Sequence, residues 1–150
     1  MKRFFIFVGV MLFASASVAS DKDLKEFIWT NKASFHKSSS KTISPVIDSL
    51  LELNSGGTEK FLLRWLNKEL WFRKSDGLVV TAKNLEKKSY KIFDVIDEQL
   101  IEVIDKKKIK QIKPNSGVRA IISSALVQFQ LLNADPSIRS NTLDSIERKP

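Results

Sequence analysis

The chain holds one histidine, His36, no cysteine, and one stretch where acids crowd, with Asp94, Asp97, Glu98 and Glu102 close together. A histidine can serve as general base or metal ligand, and neighbouring carboxylates can share a proton or hold a hard cation. His36 has only Lys37 beside it and no carboxylate, second histidine or cysteine nearby, so an exposed loop residue is expected there. The four acids alternate with large apolar residues, as on a solvated strand or helix face. A metal site built from them alone would be weak and oxygen-rich. Asp76 precedes Gly77 and is accounted for by turn chemistry, with no second acid at workable spacing. The lack of cysteine excludes thiolate chemistry, disulfides and lipid attachment through an N-terminal Cys. There are no nucleophile-elbow glycines and no glycine-rich phosphate loop. The expectation is a protein that is not an enzyme, with no catalytic residues, no cofactor and no metal.

The abundant charged residue is lysine, and the 150-residue chain carries a net charge of +8. Lys87, Lys88 and Lys91 form one cluster, and Lys106, Lys107, Lys108, Lys110 and Lys113 form a second. Nucleic acid is not the expected partner, because no stacking aromatics interleave with these lysines and the chain reads as exported. A solvated face accounts for them simply; anionic lipid headgroups or an acidic partner surface are the functional alternatives.

Export is read from the first nineteen residues, where Lys2 and Arg3 precede an apolar run from Phe4 to Phe13 and small residues ending at Ala19. That is the layout of a secretory signal peptide cleaved near Ala19, and the apolar run is short of the roughly 20 residues that a bilayer span needs. The mature chain would be periplasmic, with a charge of +6 once Lys2 and Arg3 are removed. Residues 20–42 read as a short helix around Leu24, Phe27 and Ile28, then a flexible linker at Ser38-Ser39-Ser40. Residues 43–150 read as one domain.

In that domain Ile43, Val46, Ile47, Leu50 and Leu51 trace the stripe of an amphipathic helix with Pro45 in its first turn. Gly56 and Gly57 are expected to stop it, and Thr58 to start a second helix with Phe61, Leu62, Trp65 and Leu66 inward. The two would form a tight antiparallel pair. Leu70 to Ser75 and Leu78 to Lys83 flank Asp76-Gly77, which predicts a β-hairpin on a type I′ turn. Tyr90 to Ile96 and Leu100 to Val103 read as two more strands, although Ile92, Val95 and Ile96 also fit a helix. Asp105 is expected to cap a short basic helix through Ile109 and Ile112, ending before Pro114. Asn115 then caps the best helix of the chain, with Val118, Ile121, Ile122, Ala125, Leu126, Phe129 and Leu132 as its stripe. Asp135-Pro136 opens a last helix with only Ile138, Leu143 and Ile146 as large apolar residues, a surface awaiting a neighbour. The fold class expected is α+β, mainly α, with two HEAT-like helix pairs flanking a small antiparallel β element, or a generic helical α+β domain.

The order of these features over residues 43 to 147 resembles the N-terminal extracytoplasmic region that precedes the membrane domain in permease subunits of urea-type ABC importers, a branch of the branched-chain amino acid importer family. Trp71, Asp76 and Gly77 match the hairpin of that region, Asp94 and Glu98 flank its middle turn, and Asn115 with Arg119 match the start of its long helix. Leu131, Asp135, Pro136 and Arg139 match its Asp-Pro corner. Ser116 and Ile96-Asp97 depart from its pattern, and the membrane domain does not follow. The resemblance implies a freestanding subunit or a separated fragment that docks, without chemistry, to an ABC permease or solute-binding protein serving urea or short amides. Asn115, Arg119, Asp135 and Arg139, with Arg73 and Asp76 at the hairpin, are the candidate partner-binding residues. The alternative is a freestanding periplasmic module whose lysine-rich segments from Lys83 to Lys113 contact anionic lipid or cell-wall polymer.

Overall fold

The computed structural model describes residues 20–133 and 135–147, and the expected signal peptide with its cleavage point lies outside the described residues. A capping box begins α1 (Asp21–Thr30): the Ser20 Oγ accepts from the Asp23 N–H, and the Asp23 carboxylate accepts from the Ser20 N–H at 2.7 Å. Next comes α2 (Lys32–His36). Leu24, Ile28 and Phe35 of this segment are buried in the same cluster as Ile47, Leu50 and Trp65. The Phe35 ring meets Phe61 and Trp65 edge-on, with centroids 5.3 and 5.2 Å away.

The serines expected to form a flexible linker form a packed corner instead. The Thr42 and Ile43 N–H groups both donate to the Ser39 carbonyl. The Ser40 side chain lies so close to Gly117 that a Cβ there would meet it at 2.8 Å. The reason is in the flanks: Phe35 and Ile43 are both fully buried, so the few residues between them bridge two anchored points.

Helix α3 (Ser44–Glu52) buries Ile47 and Leu50, and α4 (Thr58–Leu66) buries Phe61, Leu62 and Trp65. The left-handed residue behind α3 is Asn54 (φ 47°), not a glycine as expected. Gly57, the N-cap of α4, is needed for close approach: a Cβ there would sit 2.9 Å from Leu24 and 3.5 Å from Ile96. Thr58, expected to start the second helix, is its first residue and is fully buried.

Five strands follow: β1 (Leu70–Arg73), β2 (Val79–Glu86), β3 (Ser89–Asp94), β4 (Leu100–Asp105) and β5 (Ile109–Gln111). They make one antiparallel sheet in the order β4-β3-β2-β1-β5. The expected basic helix over Ile109 is thus a strand. Asp105 does cap, accepting from the Lys107 N–H at 2.7 Å, but only the 3-10 turn Lys106–Lys108, and Ile109 then pairs with Arg73. The open edge of β1 competes for these backbone groups, and a branched isoleucine suits the pleat.

The hairpin at Asp76-Gly77 is not the expected type I′, and it and the β3–β4 hairpin both have four-residue loops. In the first, the Arg73 N–H donates to the Leu78 carbonyl and only Gly77 is left-handed (φ 76°); in the second, the Asp94 N–H donates to Gln99 and Glu98 is left-handed (φ 61°).

The sheet is rolled. In a flat sheet β4 and β5 would lie about 19 Å apart across four strand spacings. Three residues join them, and four Cα steps reach about 14 Å even when extended. The rings of Trp71 and Tyr90, from β1 and β3, lie 5.4 Å apart, although their strands are separated by β2. The concave side holds a second core of Val80, Ile92, Ile104 and Ile109, with Trp71, Ala82 and Tyr90 around it. The convex side turns Leu70 and Val79 into the helical core.

Helix α5 (Ser116–Leu131) packs on α3, α4 and α6 (Pro136–Glu147), and buries Val118, Ile122, Ala125 and Leu126. The Asn115 Oδ1 caps it, accepting from the Val118 N–H at 2.9 Å. The fold is α+β, mainly α. Phe35→Ala should cost about 3–5 kcal/mol in urea unfolding, the loss for a buried aromatic. A change below about 0.5 kcal/mol, typical of an exposed segment, would show that residues 20–42 are not part of the core.

Candidate functional site

The six residues expected to meet a partner fall into three places. Arg73 and Asp76 close one end of the rolled sheet. The Arg73 guanidinium donates from Nε and Nη2 to both oxygens of Asp76, at 3.0 and 2.7 Å, and from Nη1 to Glu102 on β4. Asp76 also accepts from the Leu78 N–H. The Arg73 bonds hold the Asp76 carboxyl below its usual range, while Asp76, then Glu102, raise Arg73. This fork links the β1–β2 loop to β4 and leaves these groups engaged with each other.

Asn115 and Arg119 stand at the start of α5, Asp135 and Arg139 beyond its end, and a sixteen-residue helix is about 24 Å long. Asn115 is occupied as a cap, Asp135 accepts from the Ser137 N–H at 2.8 Å, and Arg139 donates to the Asn133 carbonyl at 2.7 Å. These six residues therefore do not form one site.

Asp94 and Glu98, expected to flank the middle turn, clamp the sheet to the helices. Lys25 of α1 bridges Asp94 and Asp97, and Lys60 with Arg64 of α4 holds Glu98. Arg64 also donates to the Val95 carbonyl. Bonding to Lys25 lowers the Asp97 carboxyl, and bonding to Lys60, then Arg64, lowers Glu98. Glu98 is also left-handed (φ 61°), a conformation that costs a non-glycine residue roughly 1 kcal/mol. The acids that looked most like a catalytic or cation-binding cluster are thus joined to basic residues. No group of three or more His, Asp or Glu able to hold a metal occurs among the described residues.

Local spacing gave no sign of the His36 environment. It lies flat on Phe72 of β1, with centroids 4.0 Å apart, its Nε2 buried without a hydrogen-bond partner. Gly77 leaves room for it, since a Cβ there would meet the ring at 3.0 Å. The contact spans 36 positions and pairs a loop-like residue with a strand, so sequence alone pointed to an exposed loop.

Two exposed surfaces among the described residues bear on partner contact. An open groove of about 590 Å³ lies between the ends of α3 and α5, lined by Leu51, Asn54, Gln128, Phe129, Leu132 and Asn133. Leu132 is 84% exposed; in α6 only Thr142 is buried, while Ile138, Leu143 and Ile146 are exposed. The second surface is the convex side of β2, β3 and β4, where Lys83 faces Lys91 and Lys91 faces Val103.

No family model, curated protein or solved structure matches this chain. The likeness to the permease region rests on the residues quoted above.

His36 supplies a pH prediction. Burial lowers its pKa below the ordinary 6.5, hydrogen bonding to the Gly77 backbone opposes this, and the Lys32 charge adds to it. The unfolded chain then takes up the proton first, so this stability is fully present above about pH 6.5 and declines as the pH falls towards the folded pKa. As the only histidine, it should titrate below 6.5 by NMR, and His36→Gln should remove the loss of stability between about pH 7 and pH 5. A titration at or above 6.5 would contradict the stacked, buried ring.

Proposed function

We propose that this chain is a non-catalytic periplasmic docking module, accessory to an ABC uptake system for urea or short amides, that binds the permease or its solute-binding protein. The observation carrying this reading is the unfilled end of the helical layer. The Leu51–Phe129–Leu132 groove continues onto a helix that buries one threonine and exposes three large aliphatic residues. Exposed large apolar side chains around an open groove are the kind of surface at which proteins meet partners. The resemblance over residues 43 to 147 supplies the partner class. Urea or short amides would be the importer's cargo, and this chain would act on it only through its partner.

A second reading, a freestanding module that meets anionic lipid or cell-wall polymer, is favoured by one observation of its own: lysines that face each other on the convex sheet.

Docking through the helical end predicts that the protein, used as bait on solubilised membranes of its own cells, recovers a permease or solute-binding component. Leu132→Asp with Leu143→Asp should cut recovery at least about tenfold, the effect of losing a buried apolar anchor. Recovery of no importer component, or unchanged recovery by the double variant, would overturn the reading.

A further inference from the structure

The convex face of β2–β4 combines two features that each need a partner. Lys83 on β2 is directly opposite Lys91 on β3, and like charges so placed repel. Neither makes an ion pair among the described residues, and Lys83 rests its ammonium 5.5 Å from the Phe93 ring centre. Lys87 and Lys88 extend the charge into the β2–β3 turn, and Leu85, near the end of β2, is 45% exposed. On the other flank, β4 is an edge strand that exposes Leu100 (55%) and Val103 (56%), with Val103 directly opposite Lys91. Aliphatic side chains thus stand beside unpaired lysines on the side of these strands that leaves the helical core.

We infer that this face docks on an anionic bilayer surface, with Lys83, Lys87, Lys88 and Lys91 at the phosphate level and Leu85, Leu100 and Val103 reaching the acyl boundary. The charge calls for an anion, and an anionic surface relieves the Lys83–Lys91 repulsion. The aliphatic groups decide between anions: a soluble polyanion would leave Leu100 and Val103 in water, whereas a bilayer buries them. Lysine stems suit this arrangement, since they cover apolar surface while the ammonium stays at the headgroups. The face is formed by the sheet alone, so the inference does not rest on docking through α6. The two surfaces lie on different elements and could be used together.

The test is co-sedimentation with vesicles, using protein purified from cells that express the full chain and the same N-terminus in every variant. Binding to phosphatidylglycerol-containing vesicles, weakening as salt is added, and none to pure phosphatidylcholine is expected. Lys83→Glu with Lys91→Glu should lower partitioning at least about tenfold, because each lysine near an anionic surface contributes several-fold. Leu100→Ser with Val103→Ser should lower it several-fold at all salt concentrations. The charge-matched control, Lys37→Glu with Lys41→Glu, changes two exposed lysines outside the sheet and should stay within about twofold of the parent if the contact is local. All variants are at exposed positions, and circular dichroism checks their folding. Absence of binding to the anionic vesicles overturns the inference, as does an equal loss in the control. Binding to polyglutamate together with vesicle binding indifferent to Leu100→Ser and Val103→Ser would assign the face to a soluble acidic partner and also overturn it.

Discussion

The three-residue connection between β4 and β5 is the constraint on which the rest of the sheet depends. It joins strands at opposite edges, so the sheet has to curl until those edges approach. Curling encloses Val80, Ile92, Ile104 and Ile109, which would otherwise cover a solvent-facing side of a flat sheet. It also brings Glu102 of β4 to Arg73 of β1, and packs the β1–β2 loop against the 3-10 turn through the Lys74 N–H and the Lys108 carbonyl, 2.8 Å apart. Burial of apolar surface, at about 25 cal/mol per Å², drives the closure.

A rolled sheet offers only part of its convex side to the helices. Leu70 and Val79 enter the helical core, and the β3–β4 turn is drawn onto α1 and α4 by Lys25, Lys60 and Arg64. Gly57 permits that approach, since Leu24 and Ile96 meet above it. The remainder of the convex side, with Lys83, Lys91 and Val103, stays outside. Its exposure follows from the curvature that buries the inner core. The helical layer has a similar division, with α5 filled from α3 and α4 while α6 covers little.

The strongly periodic elements were legible. Helix α5 begins at the asparagine whose side chain caps it, and the stripes of α3 and α4 supply Ile47, Leu50, Phe61, Leu62 and Trp65 to the core. The two strands preferred over a helix after Tyr90 are present as β3 and β4, with Val95 and Ile96 turned into the helical core from the loop between them. Elements decided by distant partners were not legible. Ile109 pairs because β1 has a free edge, Phe35 is core because two aromatic rings of α4 await it, and His36 is covered by Phe72. Of the candidate site residues, Arg73 and Asp76 do meet, and the others are occupied by capping or separated by the length of α5. The exposed lysines were visible in sequence, but their alignment with Val103 depends on strand register.

Tyr90, the only tyrosine of the chain, reports directly on the rolled sheet. Trp71 pairs with Val80 and Tyr90 with Asn84. In a flat sheet two strand spacings across and four residues along would separate Trp71 from Tyr90 by about 16 Å. Rolling brings the rings to 5.4 Å. Nuclear Overhauser contacts between the Tyr90 ring protons and the Trp71 indole are predicted. Their absence in the folded protein, with the β1–β2 and β2–β3 pairings intact, would contradict the account.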